Sequence, residues 1–346
     1  MRGLDTLRKS YRIRGPVKED AFHTFKELAA DEAPDLSFQN TRLSAKSLIH
    51  PQSQLMFTYS LDENETDHHV LQEVAPEEGP VAIIGIRPCD ADAFLLVRRN
   101  FDTPEYKDPY WVKAYENTIF VGLACNEPCL TCFCSSAGSG PFSHTGVDVL
   151  LADMADQYLI QSLTAKGDAL LAAADWNTEM PQDQAAKEIE ILRTAAESKM
   201  VSRISTDRLK EKDTLALYDA PFWEEVAFAC INCGTCTYLC PTCWCFDIQD
   251  ENFGKDGVRM RNWDSCMYPL FTLHGSGHNP HGLKMQRVRQ RFMHKLKYYP
   301  DKYENGIQCV GCGRCVQYCP VNIDIRSVCE RMNRFQSSDT GEQQST

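Results

Sequence analysis

The stretch that decides how this chain reads is Cys230-Ile-Asn-Cys233-Gly-Thr-Cys236-Thr-Tyr-Leu-Cys240-Pro241. It recurs as Cys309-Val-Gly-Cys312-Gly-Arg-Cys315-Val-Gln-Tyr-Cys319-Pro320. Both copies follow C-x2-C-x2-C-x3-C-P, the spacing that holds cubane [4Fe–4S] clusters. The spacing has a physical reason. Three cysteines at that interval wrap a tight loop and present three sulfurs to three irons. The fourth lies past the loop and reaches the other cluster, and the proline then redirects the chain. Cys230, Cys233, Cys236 and Cys319 are therefore expected to hold one cluster. Cys309, Cys312, Cys315 and Cys240 are expected to hold the second. A zinc site would need four ligands from two C-x2-C pairs, leaving the third and fourth cysteines and the proline without a purpose.

Outward from these runs, cysteine position divides the chain. It has 17 cysteines in 346 residues: none before Cys89, five from Cys89 to Cys134, and twelve from Cys230 to Cys329. An odd number, in a chain large enough to fold without staples, favours thiolate ligation of metal over disulfides. The turn-prone Tyr218-Asp219-Ala220-Pro221 marks a boundary. Residues 1–217 are expected to form an α/β domain, 218–335 a two-cluster domain, and 336–346 a loose polar tail. The formal net charge is −12, which argues against a general nucleic-acid binder. Residues 1–220 carry 22 Lys/Arg against 35 Asp/Glu, whereas residues 221–346 carry 14 against 13. The cysteine-dense half is thus relatively basic, as suits a half that holds anionic clusters. At 43% hydrophobic the chain can bury a core. No run of about 18 apolar residues predicts a membrane helix. The polar start, residues 1–14, lacks the apolar core of a secretory signal, so a cytoplasmic location is expected.

In the first half, Val81-Ala-Ile-Ile-Gly-Ile86, Thr118-Ile-Phe-Val-Gly-Leu123 and Tyr158-Leu-Ile-Gln-Ser-Leu163 read as strands. Residues 92–99 and 181–200 read as helices, the latter with Pro181 as a start signal. Alternating strands and helices predict a partly parallel sheet. The second half shows no clear strand alternation. Residues 284–299 read as a helix, and this half is expected to be mainly helical.

Cys89 follows the first strand in Arg87-Pro88-Cys89-Asp90. Cys125, Cys129, Cys132 and Cys134 follow the second. Neighbouring parallel strands would bring both loops to one sheet edge, where open α/β sheets bind ligands. Five thiols there can hold one more [4Fe–4S] cluster with Cys129 as the spare; a zinc site or an inert thiol group are the alternatives. Ser135-Ser-Ala-Gly-Ser-Gly-Pro141 can bend closely around such a group. Cys243, Cys245 and Cys266 are either ligands of a further cluster, a redox-active pair, or buried thiols packed near the clusters. Cys329 reads as a buried thiol. His274, His278 and His281 read as a loop rather than a metal site. The acid-free stretch Lys284, Arg287, Arg289, Arg291, Lys295 and Lys297 reads as a solvated face that partly balances cluster charge, or as a docking surface for an acidic partner. The chain has no G-x-G-x-x-G, P-loop, G-x-S-x-G or H-E-x-x-H motif.

The separation of the two runs by residues 241–308 looks like the α-helical ferredoxin arrangement of respiratory iron–sulfur subunits. More broadly, from about Gly15 to about Arg334, the chain resembles the dicluster [4Fe–4S] subunits of soluble anaerobic oxidoreductases. That family includes the β subunit of cytosolic nickel–iron hydrogenase (sulfhydrogenase) and the corresponding iron–sulfur subunit of anaerobic sulfite reductase. The markers are Phe38-Gln-Asn-Thr-Arg42, Gly85-Ile-Arg-Pro-Cys-Asp90, Thr131-Cys-Phe-Cys134, Cys240-Pro-Thr-Cys-Trp-Cys-Phe-Asp247, Trp263-Asp-Ser-Cys266 and both cysteine runs. The resemblance implies a third cluster on Cys89, Cys125, Cys132 and Cys134, with Cys129 left out. It implies a non-catalytic relay, with a flavoprotein NAD(P)H-oxidoreductase subunit on one side and a catalytic redox subunit on the other. That second subunit would be a hydrogenase, a sulfite or sulfur reductase, or a heterodisulfide-reductase-type module. The alternative is a catalytic subunit that reduces a sulfur species at the N-terminal cysteine site.

Overall fold

The computed structural model describes residues 2–75, 79–174, 176, 179–303 and 306–336. Of the tail at 336–346, residues 337–346 lie outside the described residues. In chain order the strands are β1 (Arg12–Glu19), β2 (Phe22–Glu27), β3 (Ser53–Ser60), β4 (Gln72–Glu73) and β5 (Val81–Ile86). They continue with β6 (Thr118–Leu123), β7 (Val149–Asp153), β8 (Tyr158–Ser162), β9 (Phe246–Phe253) and β10 (Asp256–Trp263).

A six-stranded sheet runs β2-β1-β5-β6-β7-β8. Its inner four strands are parallel, and β2 and β8 are antiparallel edges. Every residue of β5 and β6 is buried, which is why both read as continuous apolar runs. Alternate residues serve opposite faces. Ala82, Ile84, Ile119 and Val121 pack with Leu7 and Leu170 on one side. Val81, Ile83 and Phe120 pack on the other with Phe94, Val97 and Phe101 of the helix Pro88–Phe101. This is the expected α/β part, and it carries both cysteine loops at the ends of adjacent parallel strands.

The second half is not mainly helical. Residues 246–263 form the β9–β10 hairpin, turned at Gly254 (φ 69°). β10 then pairs with β3 in a second, four-stranded sheet ordered β4-β3-β10-β9. The cause lies in the segment itself. Phe246, Ile248, Val258 and Met260 occur at strand spacing around Phe-Gly-Lys-Asp-Gly, a hairpin signal. The insertion between the cysteine runs is therefore a hairpin that docks on the N-terminal half, followed by a helix. That helix runs Lys284–Met293, passes through a π turn at His294–Tyr298 and ends in Tyr299–Tyr303. Its apolar face, Val288, Phe292, Met293 and Leu296, packs with Trp223, Ile325 and Val328 around the cysteine runs. Among the described residues no helix is long and apolar enough to cross a membrane.

Candidate metal centres

The two cysteine runs fold alike. Gly234 and Gly313 occupy the same place in each, both with φ 74°, and each is followed by one helical turn, Thr235–Tyr238 or Arg314–Gln317. In both runs the first sulfur accepts a hydrogen bond from the backbone N–H two residues on. Asn232 N–H donates to Cys230 Sγ at 3.4 Å, and Gly311 N–H donates to Cys309 Sγ at 3.4 Å. Such amides stabilise a sulfur that carries negative charge.

Three cavities open among these thiols. The first is lined by Cys230, Cys233, Cys236 and Cys319, together with Cys315 and the apolar Met267 and Phe292. The second is lined by Cys240, Cys309, Cys312 and Cys315, with Arg291 and Lys295. The third is lined by Cys89, Cys125, Cys132 and Cys134, with Cys312 shared between it and the second. Cys129 does not line it; its thiol hydrogen-bonds Cys132 instead. Each of the three quartets expected from the sequence thus meets around one cavity. The cavities lie in a row, neighbours sharing Cys315 and then Cys312.

Among the described residues no three His, Cys, Asp or Glu side chains converge on a single metal ion. The quartets instead line cavities, which suits a polynuclear cluster better than the compact tetrahedral zinc site. Burial pushes Cys236 up to about 11, and Cys134 and Cys312 up to about 12; Cys309 and Cys125 also rise. Thiols this buried hold their protons until a metal displaces them.

Cations compensate where thiolates gather. Arg291, Lys295 and Lys297 are buried, as are Arg287 and Arg289. This helix is therefore neither a solvated face nor an exposed docking surface. Lys295 Nζ donates to Thr242 Oγ1 at 2.8 Å and to the Gln308 carbonyl at 3.2 Å, beside Cys240. Cys240 is held well below the usual thiol range by a hydrogen bond from Cys243, aided by Lys295 and Arg291. Lys46, which the sequence did not single out, donates to the Cys243 carbonyl at 3.0 Å and lies 4.0 Å over the Trp263 ring. Burial lowers it to about 8 despite the nearby thiols.

The third cavity is stitched to the second run. Phe133 N–H donates to the Gly311 carbonyl at 2.8 Å, and Cys132 Sγ reaches the Cys312 carbonyl at 3.5 Å. Arg314, with no exposed surface, forms a fork to Asp90 at 2.5 and 2.7 Å and donates to the Thr41 carbonyl at 2.9 Å. Arg87 donates to the Ala124 carbonyl at 2.7 Å and to that of Phe38, fixing the two strand ends together. Arg87, Asp90 and Arg314 were missed as organisers; only their adjacency to cysteines hinted at it. His274, His278 and His281 sit in a turn in which His274 N–H donates to the His278 carbonyl at 2.8 Å. Cys329 is fully buried and its thiol meets the Ser205 carbonyl at 3.3 Å.

Residues 229–323 match the family 4Fe-4S dicluster domain. That match spans both cysteine runs. Over 327 residues it is 28% identical to sulfhydrogenase 2 subunit beta of Pyrococcus furiosus, covering 93% of this chain and 92% of that one. The motif-based resemblance to that family is borne out. No solved structure matches.

Proposed function

We propose that this chain is an iron–sulfur electron-transfer subunit of a cytoplasmic, hydrogenase-type oxidoreductase complex. It would relay electrons between a catalytic redox subunit on one side and a flavoprotein NAD(P)H-oxidoreductase subunit on the other. The observation that carries this reading is the row of three thiol-lined cavities, each adjacent pair sharing a cysteine wall. Residues 218–335 would supply the first two centres. Cys230, Cys233, Cys236 and Cys319 ligate one, and Cys309, Cys312, Cys315 and Cys240 the other. Residues 1–217 would supply a third on Cys89, Cys125, Cys132 and Cys134. Bound [4Fe–4S] clusters supply one-electron chemistry at potentials set by charge, hydrogen bonds and exposure. The protein's part is to fix that environment. Arg291 and Lys295 place buried positive charge at the second centre. Asn232 and Gly311 direct amides at sulfur. Apolar side chains, Met267 and Phe292 among them, line the first.

The test is iron analysis with low-temperature EPR on the anaerobically purified chain. About 12 Fe per chain indicates three cubanes, and about 8 indicates two. Cys125→Ser should lose about 4 Fe and leave the signals of the other two centres in place. One or two zinc ions in place of iron would refute the reading.

A further inference from the structure

Cys243, Cys245 and Cys266 line none of the three cavities. The β9–β10 hairpin accounts for their position. Phe246 pairs with Trp263 at its open end, and Asp264 N–H donates to the Cys245 carbonyl at 2.9 Å. The chain then turns through Ser265, whose hydroxyl is bonded to Thr237 at 2.7 Å, and brings Cys266 back over Cys245. Each thiol is the first influence on the other's proton affinity, so the two side chains adjoin. Both are half-buried and free in this structure. Cys243, two residues from Cys245, touches Cys240 of the second quartet.

Every expected cluster ligand lines one of the three cavities, whereas these two adjoining thiols line none. Among the described residues no third group converges on them to hold a single metal ion. The Cys266 thiol lowers Cys245 to about 7 against the effect of burial, and Lys46 and Lys295 add to it.

We propose that Cys245 and Cys266 form a redox-active dithiol, a two-electron site beside the second iron–sulfur centre. This rests on the cluster reading above for its electron source. In the oxidised form one Cys245 Sγ–Cys266 Sγ bond joins the pair. Two electrons, drawn from reduced iron–sulfur clusters one at a time, and two protons from water break that bond and leave two thiols. Oxidation reverses the step, returning two electrons to oxidised clusters and two protons to water. The site would pair one-electron carriers with a two-electron partner within one chain.

The experiment is a reductive titration of the full anaerobic chain, with differential thiol alkylation and peptide mass mapping at both ends. A Cys245–Cys266 cross-linked peptide is expected in the oxidised sample and two alkylated thiols in the reduced one. The double variant Cys245→Ser/Cys266→Ser should keep its iron and cluster spectra while taking up about two fewer electrons per chain. A fall of about 4 Fe in that variant would make these residues cluster ligands and overturn the proposal. Unchanged electron uptake with no cross-link would overturn it as well. A chain that binds no iron would refute the cluster reading instead. The dithiol is then judged by whether dithiothreitol reversibly opens the mapped cross-link.

Discussion

Two joints fasten the cysteine-dense half to the N-terminal half, and they use opposite chemistry. One is ionic. Arg314 reaches out of the second cysteine run to Asp90, beside Cys89, and to the Thr41 carbonyl, with both charged groups almost wholly enclosed. The other is aromatic. The His50 ring sits among Phe101, Phe246 and Trp263, at centroid distances of 5.8, 5.9 and 6.0 Å, where the β9–β10 hairpin meets the first half. A fork of charged hydrogen bonds is satisfied in one arrangement only. Packed rings gain from burial and tolerate small shifts. The ionic joint lies where the second and third cavities adjoin, so directional bonding is spent where relative position matters most. The aromatic joint holds the hairpin, where area suffices.

Removing Arg314 should have the largest effect. Arg314→Ala strands a buried carboxylate, which costs about 3–5 kcal/mol. Arg314→Lys keeps the charge but loses the fork, so it should recover only part of that. Urea unfolding of the full chain measures both. A loss under about 1 kcal/mol in Arg314→Ala would mean that water reaches Asp90 and that the joint does not depend on the ion pair.

Neither joint is legible in the sequence, and the reason is separation. Asp90 and Arg314 lie 224 residues apart, and no local pattern links them. The cysteine runs are the opposite case. Each encodes its own loop within a dozen residues, so the quartets around the first two cavities could be read off spacing alone. The third cavity is intermediate. Its loops were placed correctly because β5 and β6 are fully buried runs that announce themselves, and parallel neighbours bring their ends together. The β9–β10 hairpin was lost to a different cause. Its strands alternate Phe246, Ile248, Val258 and Met260 with charged residues, and the cysteines around them drew the reading toward helix and loop. The basic helix misled for a third reason. Arginine and lysine usually face water, and here five are inside: Arg291 and Lys295 beside thiols, and Arg287, Arg289 and Lys297 on backbone carbonyls.

The glycine that starts the turn in each run offers a sharper comparison. Gly234 and Gly313 share φ 74°, so alanine costs about 1 kcal/mol at either from backbone strain alone. The surroundings differ. A Cβ on Gly234 would meet the Tyr268 side chain at 2.8 Å, which can swing away. A Cβ on Gly313 would lie 2.4 Å from Thr131 Oγ1 and 2.7 Å from the Thr131 backbone, part of the loop bearing Cys132. Gly313→Ala should therefore destabilise the chain by a further 1–3 kcal/mol or so relative to Gly234→Ala. It should also lower iron occupancy at the third centre first. Equal losses in the two variants would show that the Thr131 loop yields, and that the fit between the halves is looser than the contacts imply.

The aromatic joint should show its character in pH dependence. Neither ring nitrogen of His50 has a hydrogen-bond partner, and burial, with Arg261 and Lys46 nearby, lowers its pKa to about 3. The folded state thus holds His50 neutral, whereas the unfolded chain takes up a proton near pH 6.5. The stability this neutral ring contributes is complete above pH 6.5 and is lost as pH falls from there toward 3. Between pH 7.5 and 5 the loss from this one group is about 2 kcal/mol. His50→Phe keeps a ring in the aromatic cage and removes the titration, so its stability should fall less by that amount over the same interval. Chemical unfolding of both proteins at the two pH values measures the difference, in which all other titrating groups cancel. Parallel profiles would mean that His50 gains a proton in the folded state, and that this joint admits water as the ionic one does not.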